Sequence, residues 1–129
     1  MTATYVIEGS RITGPDSFWT VVGEAVNGPG GYFGRNLDAF ADCLSGGMGT
    51  PDDGDFVFEW RDHALSARAL GHAATARYLE RLAARAHESN RGRLREECAR
   101  AAAGLGPTLF DRLVEIIRDR LGADGLRLL

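Results

Sequence analysis

Two aspartates, Asp38 and Asp42, are the residues of this 129-residue sequence whose type and spacing best suit a chemical role. A spacing of four places both carboxylates on one face of a helix. Such a fixed pair of anions suits the binding of a cationic partner. It suits general acid–base catalysis poorly, because two carboxyl groups that both face water lack the different environments that separate an acid from a base. Spacing alone favours an ordinary solvated helix surface over a binding face.

Other patterns that resemble catalytic or cofactor sites fail on their context. The loop Gly28–Gly34 has a G-x-G-x-x-x-G pattern, but it follows a predicted helix, whereas a dinucleotide-binding loop follows a strand. We interpret it as a loop that lets the backbone approach a partner and presents Tyr32. Cys43 falls on the apolar side of its helix, and the histidines show no ligand spacing with either cysteine. We therefore predict no catalytic residue, no metal site and no cofactor.

The charges are divided unevenly along the chain, whose formal net charge is −3. Residues 1–60 hold nine acids and two arginines, whereas residues 61–129 hold nine acids and thirteen arginines. The acidic part could attract a basic partner, or the C-terminal arginines could fold back and neutralise it. The sequence leaves both readings open.

Arginines also recur at helical spacing at Arg77, Arg81 and Arg85, and more follow at positions 91–95. Such a ridge could contact the phosphates of a nucleic acid. Glutamates interleave with these arginines and the net charge is negative. We therefore favour a solvated, salt-bridged surface and do not expect nucleic-acid binding.

Hydrophobic periodicity places the acidic pair within an alternation of strands and helices. Strands are predicted at residues 4–8, 55–60 and 126–129, and helices at 15–26, 36–45, 62–70, 73–88, 90–103 and 107–121. Three strands separated by helices imply a small parallel sheet with right-handed crossovers. The strand at 55–60 has apolar residues on both faces, which predicts burial on both sides.

The helix that carries the acidic pair has clear start and stop signals. Asn36 is a natural N-cap, because its side-chain oxygen can accept a hydrogen bond from an unpaired amide. Two glycines, at 46 and 47, end the helix. Its predicted inward face consists of Leu37, Phe40 and Leu44. The two aspartates lie roughly opposite that face and are expected to point to solvent.

Length and composition predict one domain, residues 1–129, with a core of its own. No apolar run is long enough to span a membrane, and the N-terminal residues lack the pattern of a secretory signal. We therefore expect a cytoplasmic protein with no membrane contact, in which both cysteines, Cys43 and Cys98, are reduced.

The segment Tyr32–Gly46, followed by Phe56–Arg61, strongly resembles the barstar family of intracellular ribonuclease inhibitors. The stretch YFGRNLDAFADCLSG combines a loop, a cap and a helix, and FVFEWR adds a strand. The first strand and helix, and a final helix and strand, also fit the family. The resemblance implies a barstar-like α/β fold, with a small three-stranded parallel sheet flanked by helices and an extra helical insertion at about 72–105.

The resemblance also implies that the protein is not an enzyme but an inhibitor that occludes the active site of a small guanyl-specific microbial ribonuclease of the barnase type, whose cleft is basic. Asp42 would enter the phosphate-binding site of the nuclease, and Asp38 would meet a basic residue at its rim. A further acidic contact of the family has no clear equivalent here, and the candidates are Asp119 and Asp124. The rest of the implied contact surface consists of Tyr32, Asn36, Ser45 and Gly46.

The chain departs from the family's prototype at two contact positions, where Ala41 and Gly47 stand in place of tryptophan. Together with the added helices, this departure leaves a second hypothesis open. In that hypothesis the chain is a barstar-like immunity or regulatory protein that binds a different toxin or partner.

Overall fold

The computed structural model describes residues 2–129, which form three parallel strands and six α-helices. The strands are β1 (Ala3–Glu8), β2 (Phe56–Arg61) and β3 (Leu126–Leu128), and β2 lies between the other two. The predicted α/β fold with a small three-stranded parallel sheet is confirmed.

The helices occupy the predicted segments, with ends that shift by a few residues. A short 3-10 helix follows β1 at Gly9–Arg11 and another precedes β3 at Ala123–Gly125. The predicted helices at about 72–105 are confirmed as a pair. In chain order the six α-helices are α1 (Pro15–Asn27), α2 (Leu37–Leu44), α3 (His63–Ala69), α4 (His72–Arg85), α5 (Glu88–Ala102) and α6 (Leu109–Leu121).

One face of the sheet packs against helices and the other is partly open to solvent. The aromatic residues of β2 are buried, but they alternate with Val57 and Glu59, which are half-buried, and with Arg61, which is exposed. Glu59 forms ion pairs with Arg61 at 3.1 Å and Arg127 at 3.9 Å on this open face. The prediction that β2 is buried on both sides is therefore wrong, because its period-2 alternation leaves one solvated face.

An aromatic cluster beneath α2 holds that helix against the core. The ring of Phe40 lies 5.5 Å from that of Phe18, 6.0 Å from that of Trp19 and 5.9 Å from that of Phe33, measured between centroids. Phe40 is fully buried. Aromatic rings at these separations and tilts attract one another beyond the effect of their burial. These contacts hold α2 against α1 and against the loop that precedes α2.

The helices α4 and α5 form a hairpin joined by the two residues Ala86 and His87. The Cys98 thiol of α5 lies 3.2 Å from the Ala76 carbonyl oxygen of α4, and α5 packs mainly against α4. Ala101 is the one fully buried residue of α5, all of which the structure describes. Most of α5 therefore contributes surface rather than core.

Candidate protein-binding surface

The predicted cap of α2 is present. The Asn36 side-chain oxygen accepts a hydrogen bond of 2.8 Å from the Ala39 amide, which satisfies one of the amides left unpaired at a helix start. Leu37, also predicted to face inward, is half-buried. The residues of α2 that are buried against the core are Phe40, Cys43 and Leu44.

The exposed side chains of Asp38 and Asp42, here called the acidic face, point away from the core. Within residues 2–129 neither carboxylate takes part in an ion pair. Five of the thirteen C-terminal arginines form ion pairs, all with other acids, for example Arg81 with Asp16 at 3.9 Å. Neutralisation by the C-terminal arginines, one of the two readings of the uneven charge, therefore does not extend to the acidic face. Its negative charge stays available to a basic partner.

The other predicted contact residues lie at the two ends of α2, and all of them are exposed. Tyr32 and Asn36 precede the helix, and Ser45 and Gly46 follow it. The Tyr32 side chain is 44% exposed although its neighbours in the loop are packed. All six predicted residues are therefore exposed and lie on α2 or in the segments next to its two ends. Their contact with a partner stays a prediction.

A positive charge, rather than a further carboxylate, borders the C-terminal end of α2. The Arg120 guanidinium of α6 donates a hydrogen bond of 2.7 Å to the Ser45 hydroxyl oxygen. A cation at this end also interacts favourably with the helix dipole. Asp119 and Asp124 are exposed and, within residues 2–129, form no side-chain hydrogen bond or ion pair with α2, so their role in an interface stays a prediction.

One residue that positions this surface was missed by the sequence analysis. The Asn27 side-chain amide donates to the Tyr32 carbonyl oxygen at 2.7 Å and to the Met48 carbonyl oxygen at 2.8 Å. A single side chain thus ties the loop before α2 to the loop after it. Both acceptors belong to the backbone, so no side-chain pattern in the sequence points to them.

Two glycines allow these loops to lie close to Asn27. A Cβ atom on Gly49 would collide with the Asn27 side-chain oxygen, and one on Gly31 would lie 2.6 Å from the Gly23 carbonyl oxygen. Gly49 also has a φ of +105°, which side chains disfavour. Gly31 is therefore required for packing within the chain, and the interpretation that the glycine-rich loop lets a partner approach closely stays a prediction.

We expect replacement of Asn27 with alanine to lower the free energy of unfolding by about 1–3 kcal/mol, because two hydrogen bonds are lost. Urea unfolding of the variant measures the effect. The matched control is Asn90→Ala, at an exposed asparagine of α5, which should change stability by less than about 0.5 kcal/mol. Equal stability of Asn27→Ala and wild type would contradict the assigned clamp.

A groove with a volume of about 660 Å³ runs beside the acidic face. Asp38 and Asp42 line one side, and Arg93 and Glu97 of α5 line another. The sequence analysis predicted the helices at 72–105 but not that they border the acidic face. The groove is also lined by Thr75, Tyr78, Leu79, Leu82 and Leu109.

The charges of the acidic face help to raise the pKa of two titratable groups. Burial raises the pKa of the Tyr78 hydroxyl, a hydrogen bond with the Leu37 backbone lowers it, and the charge of Asp38 raises it. Burial raises the pKa of the Cys43 thiol, and the charge of Asp42 raises it further. Because a thiolate is the reactive form, the raised pKa disfavours Cys43 as a nucleophile.

The described residues form neither a metal-binding cluster nor a helix that could span a membrane. Across the described residues, no three His, Cys, Asp or Glu side chains are grouped so as to hold a metal ion. In the same part of the chain, no helix has the length and apolar character that crossing a lipid bilayer requires.

The chain matches the model of a known protein family. The model of the family described as Barstar (barnase inhibitor) matches residues 2–100 of the chain. No curated protein and no solved structure matches. The matched range contains β1, α1, α2 and β2, together with both loops around the acidic face, and it ends within α5.

Proposed function

Since the chain belongs to the barstar family, whose members inhibit barnase-type ribonucleases, we propose that it occludes the active site of a small secreted guanyl-specific ribonuclease. We place this encounter in the cytoplasm, before the nuclease is exported. The observation that carries the proposal is the acidic face. It presents two exposed carboxylates on a capped helix, and neither forms an ion pair within residues 2–129.

The proposed mechanism is imitation of a phosphate group. A ribonuclease must hold the phosphodiester of its substrate with cationic side chains, and a carboxylate held at the same place makes similar charge-assisted hydrogen bonds. In this mechanism Asp42 enters the phosphate-binding site and Asp38 pairs with a basic residue at the rim. The nuclease then cannot bind RNA, because its phosphate site is filled.

The acidic face is held in position before the partner arrives. The Asn36 cap fixes the start of α2, the Asn27 amide ties the flanking loops, and Phe40 packs against three aromatic rings. A surface that is already ordered loses less conformational entropy on binding. This supports a tight inhibitor rather than a segment that folds on contact.

The remaining contacts are proposed to come from residues at the ends of α2. Tyr32 offers an exposed ring, and aromatic side chains are enriched among the residues that dominate binding energy. Met48, which is 38% exposed, offers a further apolar contact next to Gly47. Asn36, Ser45 and Gly46 complete the proposed contact surface.

We expect the association rate with the nuclease to fall as salt rises, because long-range attraction between the acidic face and a basic cleft is screened. Stopped-flow mixing over a range of salt concentrations measures this rate. Asp38→Asn should flatten the salt dependence, whereas Glu80→Gln, at an exposed acid of α4 outside the groove, should leave it unchanged. A rate that does not respond to salt would contradict steering by the acidic face.

The inhibition itself is tested by titrating a guanyl-specific microbial ribonuclease with the purified chain. The proposal expects RNA cleavage to fall to zero at one molecule of chain per molecule of nuclease. A second candidate function is that of an immunity or regulatory protein for a different partner. Ala41 and Gly47 favour it, because these small residues stand at two contact positions where the family's prototype has tryptophan. Full RNA cleavage at excess inhibitor, across several guanyl-specific ribonucleases, would favour this second function.

A further inference from the structure

The hairpin of α4 and α5 stands beside α2 and leaves a groove between them. The groove volume of about 660 Å³ lies within the range of sites that enclose a small ligand or a few side chains of a partner. Asp38 and Asp42 belong both to the acidic face and to one wall of this groove. A protein that binds the acidic face therefore also reaches the mouth of the groove.

The two walls of the groove differ in how their charges are matched. On the α5 side, Glu97 lies 3.4 Å from Arg93 and 3.6 Å from Arg112, so two arginines share one carboxylate and this side keeps a net positive charge. On the α2 side, the two aspartates have no ion pair within residues 2–129. Charge complementarity therefore calls for a lysine or arginine of the occupant next to α2.

Leucines that line the same groove as these aspartates offer an apolar contact. Leu82 is 37% exposed, Leu94 is half-buried, and Leu79 lies buried among the lining residues. An exposed leucine beside a charged wall suits an apolar side chain that is brought in together with a cation. The charged residues and the leucines of the groove together fit a peptide segment that carries both a cationic and an apolar side chain.

We infer that this groove receives one rim of the target nuclease's cleft, with a large apolar side chain against Leu82 and a lysine or arginine against Asp38. The inference rests on the proposed function and adds a second contact region to it. The hairpin is then a specificity element, because a nuclease whose rim is too bulky for the groove cannot bring its cleft onto Asp42.

The variant Leu82→Glu tests the inference, because it places a charge where the apolar contact is expected. We expect it to raise the Kd for the inhibited nuclease by about tenfold or more. The matched control is Leu65→Glu, at a leucine of α3 that is 42% exposed and lies outside the groove. The control should keep the wild-type Kd.

Hydrogen exchange on the wild-type complex provides a second measurement that does not depend on a variant folding. We expect amide exchange in α4 and α5 to slow when the nuclease binds, while exchange in α3 stays the same. Wild-type Kd for Leu82→Glu, or unchanged exchange in α4 and α5, would overturn the inference. If either result is obtained but Asp42→Ala still abolishes inhibition, the proposed function stands and only the inference about the groove fails. If the wild-type chain inhibits no guanyl-specific ribonuclease, both fail.

Discussion

Asp42→Ala is expected to weaken binding to the inhibited ribonuclease by about 3–5 kcal/mol, which raises the Kd by at least about a hundredfold. In the complex that we propose, this carboxylate faces the cations of the phosphate-binding site, away from water. Its removal leaves those cations buried without a partner, and that penalty is larger than the loss of one contact. Inhibition titrations against a guanyl-specific microbial ribonuclease measure the Kd.

The controls separate this effect from folding and from overall charge. Asp42 is exposed, so the variant should unfold at nearly the same urea concentration as the wild type. Asp52→Ala removes the same charge from an exposed turn before β2 and should change the Kd little. An equal Kd for Asp42→Ala and wild type would contradict the role assigned to Asp42.

Phe40→Ala is expected to lower the free energy of unfolding by about 3–5 kcal/mol, because it removes a fully buried ring and leaves a cavity. The ring packs against three other aromatic rings, so the site has little freedom to collapse. Phe40 lies within α2, so its ring also anchors that helix to the core. We therefore expect the loss of stability to be accompanied by weaker inhibition, although Phe40 itself does not reach the surface.

Urea unfolding followed by tryptophan fluorescence measures this change, since Trp19 lies next to Phe40 in the core. Met48→Ala, at a methionine that is 38% exposed, is the matched truncation and should cost less than about 1 kcal/mol. A similar small cost for Phe40→Ala would show that α2 is not anchored through this cluster.

The parts of the structure that depend on local sequence could be predicted. Asn36 caps α2 because capping involves an amide only three residues away. The strands and helices were located because apolar residues repeat with the period of each element. The buried positions Phe40 and Leu44, and with them the outward direction of the two aspartates, follow from the same helical period.

The parts that depend on contacts between distant segments could not be predicted. The carbonyl oxygen that Asn27 binds at Met48 is 21 positions away and carries no residue-specific signal. The placement of α5 beside the acidic face depends on how the hairpin packs, which helical periodicity does not contain. Burial on both sides of β2 was expected from its apolar content, but Glu59 and Arg61 keep one face in contact with solvent.

The competition between the chain and a guanosine mononucleotide bound in the nuclease active site tests imitation of phosphate most directly. Calorimetric titration of a guanyl-specific ribonuclease with the chain, without and with saturating nucleotide, measures it. If Asp42 occupies the phosphate-binding site, the apparent Kd must rise in proportion to the nucleotide concentration. Tight binding that is unchanged by saturating nucleotide would place the chain outside the active site and contradict the mechanism.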